Sequence, residues 1–456
     1  MIALFLIIGN GLLALITEIF KLQKILFALT LVLLVGAFSW NLWEWNHTLR
    51  IMAFENMIAF NQLELVLSNI LIGGTLIWLF LHRNHSKKIG TDTISLVLFA
   101  LGGGILLCSF QNLTTLFIGV ELLSIPLYIL AASDKESADS HEAGFKYLIM
   151  GAFASALLLF GIALLYGGSG SFDMSKIQLY FNSQNELPSF VKLGVLLILI
   201  SFCFKTAIAP FHFWSPDVYE GAPLTITAFM STVGKIASFF AFFKLALFSF
   251  TSTQEYWIPV LTVLAVISLI VSNTTALQQT RLKRLFAYSG ISHSAFLLLI
   301  IVAHQQTAFS INALVLYASS YIISGLGAFS IISKHGDNMS EYESFGKNFP
   351  LSAISFSICI LSMAGIPVTA GFFAKFMVFQ LLFLSPVSIA IIILAITAAL
   401  VGIFYYLRFI TSFYTTPEDV WMNQLSSNQN WIAIICALGL VVLGLFPQIL
   451  GGVFTF

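Results

Sequence analysis

The chain consists of long apolar runs separated by short polar segments. A helix that crosses a membrane needs about 20 consecutive, mostly apolar residues, and fourteen such runs follow one another. The first run has no basic segment before it and no small-residue cleavage site after it, so we expect it to be a retained helix. The pattern predicts an all-α polytopic membrane protein with about 14 transmembrane helices. The predicted spans lie near residues 2–20, 24–43, 56–81, 93–110, 112–132, 141–166, 188–209, 222–249, 257–277, 284–303, 309–333, 350–382, 386–414 and 430–454.

Two of these runs are interrupted in a similar way. Span 7 carries Lys205 and then Pro210, and span 12 carries Pro367 between two glycines and then Lys375. Proline removes a backbone hydrogen bond and breaks or kinks a helix. A kink that serves only packing is the alternative for each break alone. A matched pair of breaks, five spans apart, favours discontinuous helices 7 and 12 on an ion path.

The five-span distance also predicts an internal repeat. Spans 4–8 and spans 9–13 form two units of five helices, and an odd number of spans places the second unit upside down relative to the first. Inverted repeats of this kind are typical of transporters. The predicted segments are 1–90 (three N-terminal helices), 91–250 (first repeat), 251–415 (second, inverted repeat) and 416–456 (helix 14).

Composition excludes several classes of protein. Of 456 residues, 59% are hydrophobic and 9% are charged, whereas soluble domains have about 25% charged residues. The formal net charge is zero, so no basic face indicates nucleic acid. None of the four cysteines forms a CxxC pair, and neither a GxGxxG motif nor a Walker A motif is present. We therefore expect no metal, iron–sulfur cluster or nucleotide on this chain, and any redox chemistry on a partner subunit.

Charged side chains nevertheless lie inside the apolar spans. A charge at membrane depth costs roughly 2.5–3.5 kcal/mol on insertion scales. Several such charges in different spans indicate a polar path for protons or ions. The cations are Lys146, Lys205, Lys235, Lys244, Lys375 and Arg408, and the acid is Glu121.

The setting of each cation indicates a different role. Burial disfavours a charged ammonium, so Lys205 and Lys375, deep in apolar runs, are candidates for releasing and regaining a proton. Lys235 is a further candidate because small residues surround it. Lys244 stands near the end of its span, and we expect it to extend to the membrane surface. Arg408 stays charged, so we expect it to hold a helix or to influence a neighbour.

A buried carboxylate needs a cationic partner, and Lys146 on the next span is the candidate partner of Glu121. Either a proton switch or a static ion pair between two helices fits this pairing. His293 is a relay candidate because of its position between the two halves, with a hydrogen-bonded core histidine as the alternative. Tyr317 and Tyr321 could hold water at the middle of the membrane. We expect His212 near the surface, and the pattern assigns no role to Glu64.

These stretches resemble the subunit N family of respiratory complex I, the proton-pumping NADH–quinone oxidoreductase; the subunit is called subunit 2 in mitochondria. The resemblance covers about residues 90–415, and the stretch that ends at Pro223 is highly specific. The stretches that carry it are Leu116–Pro126, Phe145–Tyr147 with Gly151–Ala156, Phe204–Pro223 and Ser362–Phe376, supported by Lys283–Leu285 and Ser292–His293.

The resemblance implies an antiporter-like fold of fourteen helices with two inverted repeats. It also implies that five residues translocate protons: Glu121, Lys146, Lys205, Lys235 and Lys375. Quinone, FMN and iron–sulfur clusters are expected on partner subunits. The implied partners are the antiporter-like subunit M, the small membrane subunits J, K and A, and the lipid bilayer, with a bacterial inner membrane as the location. Subunit L, which carries a long C-terminal helix, is disfavoured because the chain ends soon after span 14.

Two other functions remain open at this point. A subunit of a multi-chain Na⁺/H⁺ antiporter shares the fold, although the stretch from Trp214 to Pro223 argues against it. A structural scaffold without transport of its own is the alternative from another class. Neutral substitutions at Lys205, Lys235 and Lys375 would favour the scaffold.

Loop charge predicts that both termini lie on the non-cytoplasmic side, because loops rich in Lys and Arg stay in the cytoplasm. A reporter enzyme that is active only in the cytoplasm, fused after Phe456, should therefore be inactive; an active fusion would contradict this topology. The odd-numbered loops carry Lys21, Lys24, Arg83, Lys87, Lys88, Lys135, Arg281, Lys283, Arg284, Lys334 and Lys347, against Arg50, Lys176 and Lys192 in or beside the even-numbered loops.

Overall fold

The protein is almost entirely helical in a computed structural model that describes residues 1–20, 23–47, 51–85, 90–184, 186–303, 308–415 and 431–451. Among these residues, ten helical stretches have the length and apolar composition of membrane spans. The protein is thus a multi-pass membrane protein. Several residues used in the predictions lie outside the described ones: Lys21, Arg50, Lys87, Lys88, and residues 416–430 and 452–456 of the predicted C-terminal segment.

The helices follow the predicted apolar runs closely. In chain order they are α1 (Ile2–Ile19), α2 (Gln23–His47), α3 (Gln62–His85), α4 (Thr91–Ser109), α5 (Leu113–Ala131), α6 (Ala138–Ser169), α7 (Met174–Ser183), α8 (Ser189–Lys205), α9 (Trp214–Gly221), α10 (Leu224–Phe229), α11 (Lys235–Lys244), α12 (Gln254–Ala276), α13 (Leu282–Val302), α14 (Ala308–His335), α15 (Phe345–Asn348), α16 (Pro350–Ala364), α17 (Ala370–Leu384), α18 (Ile389–Ser412), α19 (Trp431–Leu445) and α20 (Gln448–Gly451). Two π-helical segments, Met230–Gly234 and Leu245–Ser249, flank α11 and continue its helix.

Polar residues set the helix boundaries in the loops. Asn112 and Ser137 cap the N-termini of α5 and α6, since their side chains accept hydrogen bonds from backbone N–H groups of the first turn. Asp173 does the same for α7, a short helix that the apolar pattern did not predict. Partial burial raises the pKa of Asp173, but hydrogen bonds from Ser175 and Lys176 outweigh this effect and leave the pKa below its usual value.

The third span differs from its prediction at its start. Residues 56–61 were expected to be helical, but a hairpin of β1 (Ile51–Ala53) and β2 (Ile58–Phe60) occupies this stretch, and α3 begins at Gln62. The strands are antiparallel, with Met52 opposite Ala59. The apolar residues of β2 are buried like those of a helix, so hydrophobicity alone does not distinguish the two.

The predicted interruptions are both present. The seventh span ends its first helix at Lys205 and resumes at Trp214, and the twelfth ends at Ala364 and resumes at Ala370. Gly365 has φ +84° and closes α16 with N–H bonds to Leu361 and Ser362, the left-handed C-terminal cap that glycine favours.

The chain divides into two compact units: Met1–Ala207 with Gly221–Val260, and Ile208–Glu220 with Leu261–Phe456. In the first unit, α4 packs against α1 and α5, and α6 packs against α8. In the second unit, α14 packs against α16, α17 and α19. The stretches Leu224–Ser249 and Ala308–His335 are almost wholly buried, whereas α6 and α18 expose large apolar side chains.

The close approach of α4 to α5 depends on Gly103. A Cβ added there would lie 2.3 Å from the backbone nitrogen of Leu123, and a backbone cannot move aside as a side chain can. We expect Gly103→Ala to separate the two helices and to destabilise the protein by about 1–3 kcal/mol. The thermal unfolding midpoint of the detergent-extracted protein measures this loss.

Gly36 in α2 provides the matched control, because nothing lies within 4 Å of a Cβ added there. Alanine is also the better helix former, so Gly36→Ala should leave the midpoint unchanged or raise it slightly. Equal midpoints for the two variants would contradict the packing role of Gly103.

Candidate proton-transfer site

Lys205 lies at the C-terminal end of α8, where the seventh span is interrupted. Its ammonium donates hydrogen bonds to three hydroxyl oxygens, those of Ser124 at 3.1 Å, Tyr128 at 2.9 Å and Ser155 at 3.4 Å. The Ser155 hydroxyl in turn donates to Oε1 of Glu121 at 2.5 Å. One hydroxyl group therefore links the carboxylate of α5 to the lysine of α8.

Sequence reasoning had not assigned these hydroxyl groups, although part of the signal was present. Glu121, Ser124 and Tyr128 are spaced by three and four residues on α5 and so share one helix face. Nothing in the spacing indicated that α8 would present Lys205 to that face. Nothing in the sequence around Ser155 on α6 indicated that its hydroxyl would contact Glu121 and Lys205.

Lys146 has a carboxylate partner that the sequence analysis had overlooked. Its ammonium lies 2.8 Å from Oε1 of Glu142, one turn earlier on α6, and the Lys146 and Glu142 side chains are 41% and 63% exposed. Glu121 has its own contact with Ser155. A functional coupling of Glu121 with Lys146 remains a prediction.

Lys375 lies on α17, after the interruption of the twelfth span. It is buried, and its ammonium donates to the carbonyl oxygens of Met363 at 3.0 Å and Ala364 at 2.8 Å. These carbonyls end α16 and have no partner within that helix, and the C-terminal end of a helix attracts a cation. Gly365 leaves room for the lysine, since a Cβ there would lie 2.8 Å from Cδ of Lys375.

The three relay candidates of the second unit lie together. Nδ1 of His293 is 2.8 Å from the hydroxyl of Tyr317, and the imidazole ring is 4.9 Å from the ring of Tyr321. All three side chains are buried. Tyr406, which sequence reasoning missed, shares a short hydrogen bond with Ser289 one turn before His293.

Lys235 is the first residue of α11 and is 3% exposed. It directly follows the π-helical segment Met230–Gly234, and such segments frequently occur at functional sites. The structure thus places the predicted lysine well inside the protein.

Two predictions for other residues were wrong. Lys244 does not extend to the surface: it is buried and forms an ion pair with Glu64 at 2.9 Å, which also gives Glu64 its partner. His212 is 5% exposed and so is not a surface residue.

Arg408 behaves as expected, because it donates to the carbonyl oxygens of Leu277 and Gln279 and so connects α18 to the end of α12.

A group of charges holds α9 within the second unit. Arg284 contacts both Asp217 at 3.1 Å and Glu220 at 2.6 Å, and Arg281 contacts Glu220 at 2.6 Å. Nearby, burial raises the pKa of Asp337 despite a hydrogen bond from the backbone of Lys283. The second helix of the interrupted span is therefore fixed by ion pairs.

Metal ligands do not converge in the described part of the chain, where no three His, Cys, Asp or Glu side chains come together. The four cysteines are buried and free. That the redox centres belong to partner subunits remains a prediction.

Comparison with known proteins gives a consistent result. The family model described as NADH:quinone oxidoreductase/Mrp antiporter, TM, matches residues 111–402. The protein named NADH-quinone oxidoreductase subunit N of Flavobacterium psychrophilum is 36% identical over 448 residues, which are 96% of this chain and 97% of that one. The protein of the same name from Cytophaga hutchinsonii is 36% identical over 98% of both chains.

Solved structures share the fold. A chain of respiratory complex I from Thermus thermophilus with bound aureothin superposes with a TM-score of 0.85 at 27% identity, covering 99% of this chain and 98% of that one. A chain of the Mrp complex from Dietzia has a TM-score of 0.87 at 16% identity, covering 99% of this chain and 95% of its own length. At that identity the likeness shows the fold alone.

Proposed function

Because this chain belongs to the NADH-quinone oxidoreductase subunit N family, we propose that it is a proton-translocating subunit in the membrane arm of complex I. NADH:quinone electron transfer in other subunits, which carry the quinone, flavin and iron–sulfur sites, drives the translocation. This chain contributes buried groups that bind and release protons.

The proposal rests on the hydrogen bonds around the ammonium group of Lys205. Its hydrogen-bond acceptors are three neutral hydroxyls, and Glu121 lies one hydroxyl beyond. A carboxylate in direct contact would stabilise the ammonium more strongly than neutral oxygens do. Ser155 connects this amine to the carboxylate of Glu121 through one hydroxyl group. A short hydrogen-bonded path between an amine and a carboxylate suits proton transfer.

The remaining candidates extend this path. Lys146 and Glu121 act on the input side of Lys205, and Lys235 takes part in the first unit. In the second unit, Lys375 is the exit group, and two backbone carbonyls rather than a carboxylate hold its ammonium. His293, with Tyr317 and Tyr321, supplies hydrogen-bonding groups in the same unit.

The finer architecture belongs to the same proposal. The chain has fourteen spans, and residues 91–250 and 251–415 are two inverted five-helix repeats, with discontinuous helices 7 and 12. The two interruptions, each beside a lysine and five spans apart, support this arrangement. An inverted pair of interrupted helices suits a path that opens to opposite sides of the membrane.

The partners are the antiporter-like subunit M and the small membrane subunits J, K and A, in a bacterial inner membrane with both termini on the non-cytoplasmic side. The Na⁺/H⁺ antiporter alternative gains no support, because the likeness to the Mrp complex concerns the fold alone. The scaffold alternative predicts neutral lysine substitutions, and the two experiments below test this.

Lys205→Ala should lower quinone reductase activity and proton pumping together, by tenfold or more, because coupled electron transfer stops when a relay group is missing. Lys205→Arg should not restore pumping, since a guanidinium keeps its proton. The measurements are donor-driven quinone reduction and acidification of sealed vesicles. Full pumping by Lys205→Arg would exclude deprotonation of this residue.

Lys375→Ala should block net transfer while Glu121, Lys146 and Lys205 remain intact, whereas Lys375→Glu should keep partial function because a carboxylate also carries a proton. Lys176→Ala, at an exposed position on α7, is the control and should pump normally. Native gels check that each variant assembles. If assembled Lys375→Ala translocates the normal number of protons per electron, Lys375 is not the exit group.

A further inference from the structure

Three helices of the second unit, α12, α13 and α18, are joined by hydrogen bonds between buried polar side chains. Nδ2 of Asn273 on α12 donates to the hydroxyl of Ser292 on α13 at 3.2 Å. One turn earlier on α13, the hydroxyl of Ser289 shares a hydrogen bond with that of Tyr406 on α18. All four side chains are buried. Both contacts therefore lie inside the protein rather than at its surface.

The side-chain amide of Asn273 has one polar atom that these contacts do not use. Its Nδ2 also donates to the carbonyl oxygen of Leu269, one turn earlier, at 2.8 Å. Because only the nitrogen can donate, this bond fixes which end of the amide faces Ser292. Oδ1 has no hydrogen-bond partner among the described residues, although Asn273 is only 3% exposed. Leaving a buried polar atom unpaired costs free energy, and a bound water molecule commonly supplies the partner.

Gly402 on α18 provides room beside this oxygen. Gly402 is buried, and a Cβ added there would lie 3.7 Å from the hydroxyl oxygen of Tyr405 and 3.8 Å from Oδ1 of Asn273. Apart from the adjacent backbone of α18, these are the nearest atoms in the described chain. Both distances are ordinary van der Waals contacts, so one methyl-sized group fits here. By contrast, a Cβ on Gly103 would lie 2.3 Å from a backbone atom.

Tyr405 can be the second partner of a molecule bound at this point. Its side chain is 3% exposed, and its hydroxyl interacts with those of Ser289 and Tyr406. A hydroxyl group has one hydrogen to donate and two lone pairs, so it retains capacity for a further hydrogen bond. A group between Tyr405 and Asn273 would connect α18 to α12 directly, as Ser289 and Ser292 already connect each of them to α13.

We propose that one water molecule binds beside Gly402, where it donates a hydrogen bond to Oδ1 of Asn273 and shares a second one with the hydroxyl of Tyr405. Water suits this place because Oδ1 needs a donor, whereas Tyr405 can either donate or accept. A metal cation fits poorly, since Ca²⁺ and Mg²⁺ take about six or more oxygen ligands. The described residues place only two side-chain oxygens within 4 Å of the point. The site goes beyond the proposed proton transfer and does not depend on it.

Two substitutions of Gly402 distinguish a water site from plain helix packing. Gly402→Ala fits without a clash, but its methyl group stands where the water binds and leaves Oδ1 of Asn273 without a donor. Gly402→Ser adds a hydroxyl group that can donate to the same oxygen. If no water binds, alanine should be at least as stable as serine, because it is the better helix former. A bound water reverses this order.

The first experiment heats the detergent-extracted complex and follows the loss of its intact band on native gels. We expect Gly402→Ser to lose the band near the parent temperature and Gly402→Ala several degrees lower. Equal temperatures for the two variants, or a higher one for Gly402→Ala, would overturn the water site. Replacing Na⁺ by K⁺ in the buffer should not change the parent temperature. A stabilisation by Na⁺ that Gly402→Ala removes would assign the place to a cation and also overturn the proposal.

A change at Asn273 tests the other partner of the water. Asn273→Leu removes the oxygen that needs a donor and keeps a side chain of similar size. In this background Gly402→Ala should no longer be less stable than Gly402→Ser, so the effects of the two positions should be strongly non-additive. A loss of unchanged size with Gly402→Ala in the Asn273→Leu background would contradict the proposed contact.

A density map of the parent complex provides a test that needs no variant. At a resolution that shows other buried water molecules, we expect a peak within hydrogen-bond distance of both Oδ1 of Asn273 and the hydroxyl of Tyr405. A map that shows the other waters but not this peak would overturn the proposal. None of these measurements involves proton transport, so their failure would leave the roles proposed for Lys205 and Lys375 intact.

Discussion

The low-polarity interior of the membrane makes a cation within a span depend on polar atoms of the protein itself. Three lysines among the described residues meet this requirement in two ways. Lys244 has a carboxylate, whereas Lys205 has hydroxyl groups and Lys375 has backbone carbonyls. The choice of partner has a chemical consequence, because a carboxylate stabilises the charged form most strongly. Similar apolar spans thus carry lysines of two kinds.

The interruption of a helix is one source of neutral partners. A continuous helix uses its own carbonyl groups, but one that ends inside the span leaves the last ones without an intrahelical partner. In the second unit, Met363 and Ala364 provide such carbonyls to Lys375, and Gly365 supplies both the turn and the space. The sequence Gly365–Gly371 therefore shapes the lysine site as well as the bend.

Much of this architecture could be predicted from the sequence, because apolar run length and Pro or Gly interruptions are local signals. The breaks near Pro210 and Pro367 were found in this way. The hairpin before α3 was not predicted because its buried strand is as apolar as a membrane helix. Asp173 and the short helix that it caps were missed because a polar helix of ten residues is too short and too polar to be recognised as a membrane span.

The side-chain partners were harder to predict, since they depend on which spans are neighbours. Glu64 and Lys244 are 180 residues apart, and no periodicity connects α3 to α11. The sequence analysis therefore assigned no role to Glu64 and predicted that Lys244 extends to the membrane surface. The same limit explains why the contact of Glu121 with Ser155 on α6 was not predicted.

The geometry of α11 explains how one helix places two lysines in different surroundings. Nine residues are two and a half helical turns, so Lys235 and Lys244 lie on opposite faces of α11. One face brings Lys244 to the carboxylate of α3, and the other turns Lys235 away from it. Each lysine also adjoins a π-helical segment, where an extra residue in the turn changes the direction of the side chains that follow. The two lysines of α11 can therefore share one helix without sharing a partner.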